Sequence, residues 1–178
     1  MSDVSIEKEW EAIYRENSSM LYGYLVKKTG FDQASDILQE SFLKLLQSMK
    51  KNRKIENPKA YLFQTARNII STEYNKNYLA VSTELSVNYE DKKVNVETQM
   101  LKKEVNNLIE TAKHLLSKSE LDLFELRWYM GFTQVEIAVI MEKSERQIRR
   151  DIEKIGVKIR NVFNDNGWGA DDMEGIEL

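Results

Sequence analysis

At 178 residues, with 42% apolar and 31% charged side chains, the chain has the length for one domain or two small ones and the composition to fold in water. It contains no cysteine, which excludes a disulfide scaffold and thiolate metal sites. The formal charge of −3 is uneven: Asn164 to Leu178 holds five acids and no Lys or Arg, which leaves 26 bases against 24 acids, or +2, on the rest.

Helix signals abound and strand signals are sparse. Trp10, Ile13, Tyr14, Leu21 and Leu25 trace an apolar helical face that ends with Lys27 and Lys28 near Gly30. Asp32 is expected to cap a second helix running to about Met49, with Leu38, Phe42, Leu45 and Met49 as its buried stripe. Asp36, Glu40, Leu43 and Gln47 lie opposite, with Gln39 to one side, so a leucine among acids faces water. Residues 50 to 56 are basic (Lys50, Lys51, Arg53, Lys54) and read as a loop. Asn57 should cap a third helix whose first position is Pro58, where a missing amide costs nothing. This helix is expected to bury Leu62, Phe63, Ala66, Ile69 and Ile70 and to run to about Lys76. Its outer face would be Tyr61, Gln64, Asn68, Ser71 and Asn75, flanked by Arg67 and Thr72. It is polar but nearly uncharged, which suits base edges and unstacked bases better than bare phosphates.

Periodicity fails over residues 77–97, which read as a flexible linker, and helical pattern resumes near Thr98. Three Ser/Thr-x-x-Glu/Gln boxes follow, Ser117–Glu120, Thr133–Glu136 and Ser144–Gln147, each announcing a helix start. Gly131 stands where a left-handed residue is wanted after the first of these helices. Only Glu142 to Ser144 separate the short second helix from the third, the spacing of a helix-turn-helix. In the third, Ile148, Ile152, Ile155 and Ile159 recur at intervals of four, three and four, one buried face. Arg146, Gln147, Arg149, Arg150 and Lys154 lie on the other sides, and residues 143–160 carry seven bases against three acids. Arg and Gln near the start of such a helix can bond base edges in the major groove, whereas a plain solvated face would show ion pairs such as Arg149–Glu153. The fold expected is all-α: a helical domain at 5–76, a linker at 77–97, a second helical domain with the helix-turn-helix at 98–163 and an acidic tail at 164–178.

Together these segments resemble the bacterial sigma-70 superfamily, specifically its extracytoplasmic-function group. Asp36-Ile-Leu-Gln39-Glu40-Ser-Phe42 is similar to the family's D-x-x-Q-E-x-F segment. Asn57-Pro58-Lys-Ala60-Tyr61-Leu62-Phe63, followed by Ala66-Arg67-Asn68, is similar to P-x-A-W-L-x-x-I-A-R-N. Leu116 to Ile159 resembles the family's region 4. The resemblance implies a surface of Asp36, Gln39, Glu40 and Leu43 that docks the β′ clamp helices of RNA polymerase core, with a β-flap contact elsewhere. It implies that Lys51, Arg53, Lys54, Tyr61, Gln64, Arg67, Asn68, Ser71, Thr72 and Asn75 meet the melted −10 element of promoter DNA. Ser144, Arg146, Gln147, Arg149, Arg150 and Lys154 would meet the −35 element as duplex. An anti-sigma protein is a further partner of the kind relatives have.

The chain departs from the family at Tyr61, usually Trp, at Thr72 and Asn75, usually Asp and Arg, and at Glu142, usually Gly. Gly156 weakens the recognition helix by roughly 1 kcal/mol. His114 is the one histidine, and with no metal-ligand cluster and no phosphate-binding glycine loop, neither enzyme chemistry nor a cofactor is expected. No run is long and apolar enough for a membrane span and there is no apolar signal core, so membrane insertion is not expected and cytoplasmic residence is. The alternative function is a stand-alone helix-turn-helix regulator that never joins polymerase.

Overall fold

The computed structural model describes residues 3–51, 53–74 and 96–169. Among them are seven α-helices and no strand: α1 (Asp3–Thr29), α2 (Phe31–Lys50), α3 (Pro58–Tyr74), α4 (Val96–Lys113), α5 (Lys118–Phe124), α6 (Gln134–Met141) and α7 (Glu145–Asp165). They form two compact units, one built on α1–α3 and one on the helices from α4 onward. The expected linker lies outside the described residues except for its last two, which already belong to α4. Asn75 lies outside them as well. The helix that was to end the second domain at residue 163 continues to Asp165.

In the first unit, the join between α1 and α2 is a single residue. Gly30 donates to Val26 O at 2.9 Å, ending α1, and accepts from Ala34 N at 3.2 Å, starting α2. Its φ of 81° and ψ of 172° are open essentially to glycine alone. This corrects the expected cap. Asp32 falls inside the first turn, where its charge favours the helix dipole, because the glycine hinge starts the helix two residues earlier. Asn57 caps α3 as expected, its Oδ1 accepting from Ala60 N at 2.9 Å.

Leu21, Tyr24, Leu25, Phe42, Leu45, Leu62, Phe63 and Ala66 fill the core, with the Tyr24 and Phe63 rings 5.2 Å apart. Burial on α2 is rotated from the expected stripe: Ala34, Ile37, Ser41 and Ser48 are buried, while Leu38 and Met49 are half-buried. Both α1 and α3 pack against α2. Ser41 is tolerated because its hydroxyl donates to Ile37 O at 2.7 Å. Trp10, Tyr14 and Phe42 make an aromatic cluster at the α1–α2 surface, and Trp10 Nε1 donates to Phe42 O at 3.3 Å.

In the second unit, α5 opens on a complete capping box, Ser117 with Glu120. It runs on through a π-helical turn, Glu125–Tyr129, and closes at Gly131, whose φ is 68°. Thr133 and Glu136 exchange the second box, at 2.8 and 3.3 Å. Ser144 accepts from Gln147 N at 3.3 Å, which makes half of the third. Phe124, Leu126, Phe132, Ile137, Ile148, Ile155, Ile159 and Phe163 are buried together, while Ile152 is half-buried at the margin of its expected stripe.

Candidate nucleic-acid interface

Ser48 is 8% exposed on α2, and a hydroxyl so buried needs a partner. It finds the Tyr61 hydroxyl of α3 at 2.9 Å. The bond draws Tyr61, expected on the outer face, into a half-buried position. Around the pair opens a cavity of about 420 Å³, walled by Glu40, Lys44, Gln47 and Ser48 of α2, by Lys51 and Arg53 of the loop, and by Tyr61, Thr65, Asn68, Ile69 and Thr72 of α3. The Lys44 ammonium pairs with Glu40 at 2.8 Å, while Lys51 and Arg53 are exposed at the rim. The lining offers amides, hydroxyls and an aromatic ring below two cations. A planar hydrogen-bonding group attached to an anionic chain matches that chemistry.

Lys51, Arg53, Tyr61, Asn68 and Thr72 were expected at single-stranded DNA, and all five line this hollow. Lys54, Gln64, Arg67 and Ser71 do not; Lys54 instead reaches Glu56 at 3.6 Å. Gln47, Ser48 and Thr65 went unnamed as site residues. Thr65 was legible in principle, because 61, 65, 68 and 72 follow one another at four, three and four and share one helix face. Asp36, Gln39 and Leu43 are exposed on α2, Leu43 at 53%, whereas Glu40 is half-buried and turned to the cavity.

In the second unit, α6 and α7 form the helix-turn-helix. Lys143 N donates to Ala138 O at 3.0 Å, and Glu142 takes φ 54° where a glycine would rest without strain. Two of the cations counted in the sequence hold the unit together. Lys143 Nζ bonds Asp151 at 3.0 Å and Ser119 Oγ at 3.4 Å, tying the turn to α7 and α5. Lys158 Nζ bonds Glu120 at 2.8 Å and Leu115 O at 3.2 Å. That ammonium, and next the Ser117 amide, hold the Glu120 carboxyl down at about 2 against an ordinary 4.5. By contrast Arg146, Arg149, Arg150 and Lys154 are exposed and make no ion pair among the described residues. The Arg149–Glu153 pair of an ordinary solvated face is not formed. Ser144 and Gln147 stand at the start of the same helix. His114 is exposed, and no cluster of metal-ligating side chains occurs among the described residues.

The family model of Sigma-70 region 2 matches residues 13–78, which contain all of α2, the basic loop and α3. The match covers less than half of the chain, so what it shows is a segment similar to Sigma-70 region 2 in the first helical unit. Among solved structures the chain is similar to the sigma factor RpoE of Bartonella quintana, solved in complex with the anti-sigma factor NepR, with a TM-score of 0.60 at 16% identity. That match covers 88% of this chain and 98% of the other, and at such identity it speaks for the fold. The RsbN–BldN complex gives 18% identity over 90% of this chain and 97% of the other, but a TM-score of 0.34, too low to argue from. No curated protein matches the chain in sequence. No helix among the described residues is long and apolar enough to cross a membrane.

Proposed function

We propose that this chain is an extracytoplasmic-function sigma factor that joins core RNA polymerase and directs promoter recognition and transcription initiation. The observation that carries the reading is the coincidence of the Sigma-70 region 2 match, residues 13–78, with the polar cavity between α2 and α3. Pulling a base out of the duplex stack costs a few kcal/mol. A hollow that receives the extruded base offsets the cost and holds the −10 element open. Lys51 and Arg53 attract the strand's phosphates, the Tyr61 ring supplies a stacking surface, and Asn68 and Thr72 offer polar groups to the base. Lys54, Gln64, Arg67, Ser71 and Asn75 follow the strand on either side.

In the other unit, Ser144, Arg146, Gln147, Arg149, Arg150 and Lys154 of the recognition helix meet the −35 duplex. Unpaired guanidinium groups are the ones free to bond guanine edges bidentately, each good pair discriminating by roughly 1–3 kcal/mol. Asp36, Gln39, Glu40 and Leu43 dock the β′ clamp helices of core, and the second unit meets the β flap. Such a protein does no covalent chemistry and acts in the cytoplasm. An anti-sigma protein is its natural antagonist, as NepR accompanies RpoE in the similar structure.

Runoff transcription with purified core polymerase on genomic DNA tests the reading and returns both promoter elements. Specific starts that need this chain are the expected result. Binding to duplex DNA without association with core would instead define a stand-alone helix-turn-helix regulator.

A further inference from the structure

Most polar groups around the cavity between α2 and α3 can both give and take a hydrogen bond. The amides of Gln47 and Asn68 can turn end for end, and the hydroxyls of Ser48, Tyr61 and Thr65 rotate. Such groups adapt to whatever base edge they meet, so they bind without choosing. Choice falls to groups of fixed sign. Lys51 and Arg53 only donate, but they stand exposed at the rim, where a strand's phosphates draw them. Within the wall the groups of fixed sign are Glu40 and Lys44, one turn apart on α2 and paired at 2.8 Å.

Glu40 is half-buried, and among the described residues it is the one acid that lines the hollow. The Lys44 ammonium meets its Oε1. A carboxylate offers about four lone-pair sites, so Oε2 remains to accept. Beside an anionic strand a carboxylate is repelled by phosphate, and Lys44 offsets that charge without covering the second oxygen. Thr72, on α3, leans the same way. Its hydroxyl donates to Asn68 O at 2.8 Å, which leaves it lone pairs to offer the cavity. The bases differ in what they bring to such acceptors. Adenine, cytosine and guanine each carry an exocyclic amine. Thymine has none, and its carbonyl oxygens set against a carboxylate lose their water and gain no bond.

We propose that Glu40 is the residue by which this cavity chooses its base: it accepts from the exocyclic amine of an extruded adenine, cytosine or guanine, and thymine is rejected for want of that donor. Lys44 positions the carboxylate. A site built to bond an N–H discriminates strongly against a ligand that lacks it, because the site's own polar group is then left unpaired. The inference rests on the reading of the cavity as the receiver of an extruded base.

Nontemplate-strand oligonucleotides test it, carrying the −10 element that runoff mapping returns, with each base placed at each position in turn. Their affinity is measured for holoenzyme assembled from the full chain and core polymerase. Asn68→Ala, in the α3 wall, marks the position that enters the cavity as the one whose base preference it changes most. There an amine-bearing base should bind about tenfold more tightly than thymine. Glu40→Gln should bring that ratio within about twofold, because an amide gives as well as takes. Each ratio is taken within one holoenzyme, so any effect of the substitution on core docking cancels. Exchanging the preferred base for its analogue without the amine (purine for adenine, pyrimidin-2-one for cytosine, hypoxanthine for guanine) should cost the native holoenzyme about tenfold and the Glu40→Gln holoenzyme less than about twofold. Thymine preferred at that position, an analogue bound as tightly as its parent, or a preference that survives Glu40→Gln overturns the proposal and leaves base capture standing. If Asn68→Ala changes no position more than another, no base enters the cavity, and the capture reading falls together with the proposal.

Discussion

Two glycines of this chain answer opposite demands. Gly30 is held at φ 81° and ψ 172°, and nothing lies within 4 Å of where a Cβ would stand. Replacing it therefore costs backbone strain and no clash. Gly30→Ala should destabilise the first unit by about 1–3 kcal/mol. Amide hydrogen exchange would show this as faster opening of α1–α3 with α7 unchanged; equal exchange in α1–α3 would refute the hinge. Gly156 has ordinary helical geometry in the middle of α7, and its added Cβ would meet only Arg160 Nη1 at 3.3 Å, the far end of an exposed, flexible side chain. The neighbour can move aside, so the gain in helix propensity prevails. Gly156→Ala should stabilise α7 by about 0.5–1 kcal/mol, seen as two- to fivefold slower exchange there. Slower folding or faster exchange would mean that the close approach at this position serves packing instead.

The start of α5 is held by one carboxylate with two tasks. Glu120 Oε2 accepts from Ser117 N at 2.8 Å and from Lys158 Nζ at 2.8 Å. Its pKa in the fold is depressed to about 2, so its contribution is complete above about 4.5 and drains away as pH falls toward 2. Glu120→Gln should cost roughly 1 kcal/mol at neutral pH, a figure that allows for the exposure of Lys158, and should flatten the loss of stability between pH 4.5 and 2. Thermal midpoints measured across that range check it; parallel curves for the two proteins would show that the pair adds nothing. This capping box was legible in the sequence because a cap is written within four residues, and so was Asn57 before Pro58. What escaped was set by tertiary packing. Asp32 has the right chemistry for a cap but stands two residues after a glycine that only the α1–α2 hinge explains. Ser48 breaks an apolar stripe without announcing that Tyr61, thirteen residues on, will satisfy its hydroxyl. The outer face expected of α3 is Tyr61, Gln64, Asn68, Ser71 and Asn75, flanked by Arg67 and Thr72, and the cavity takes Tyr61, Asn68 and Thr72 of these together with Thr65. Along a polar helix several such stripes fit the period equally well, and only the position of α2 chooses between them.

At the scale of the whole molecule, a net charge of −3 would argue against DNA if charge were spread evenly. It is instead parcelled by unit: the first carries an exposed leucine among acids on α2, and the second carries four exposed cations on α7 that form no ion pair among the described residues. Docking and reading assigned to separate units should fail separately. Leu43→Asp places a charge where an apolar side chain is 53% exposed, so the fold should tolerate it. An apolar anchor in the proposed interface would be lost, and affinity for core polymerase should fall about tenfold or more. Arg146→Ala with Arg150→Ala should leave core affinity within about twofold. It should lower promoter binding by the assembled holoenzyme ten- to a hundredfold, and reduce the salt dependence of that binding if either arginine also meets a phosphate. Anisotropy of labelled chain titrated with core, and of labelled promoter titrated with holoenzyme, reads the two effects apart. If Leu43→Asp leaves core binding intact, the docking surface is not on this side of α2. If the arginine variant loses core and DNA together, recognition and docking share the second unit, and the division of labour proposed for the two units is wrong.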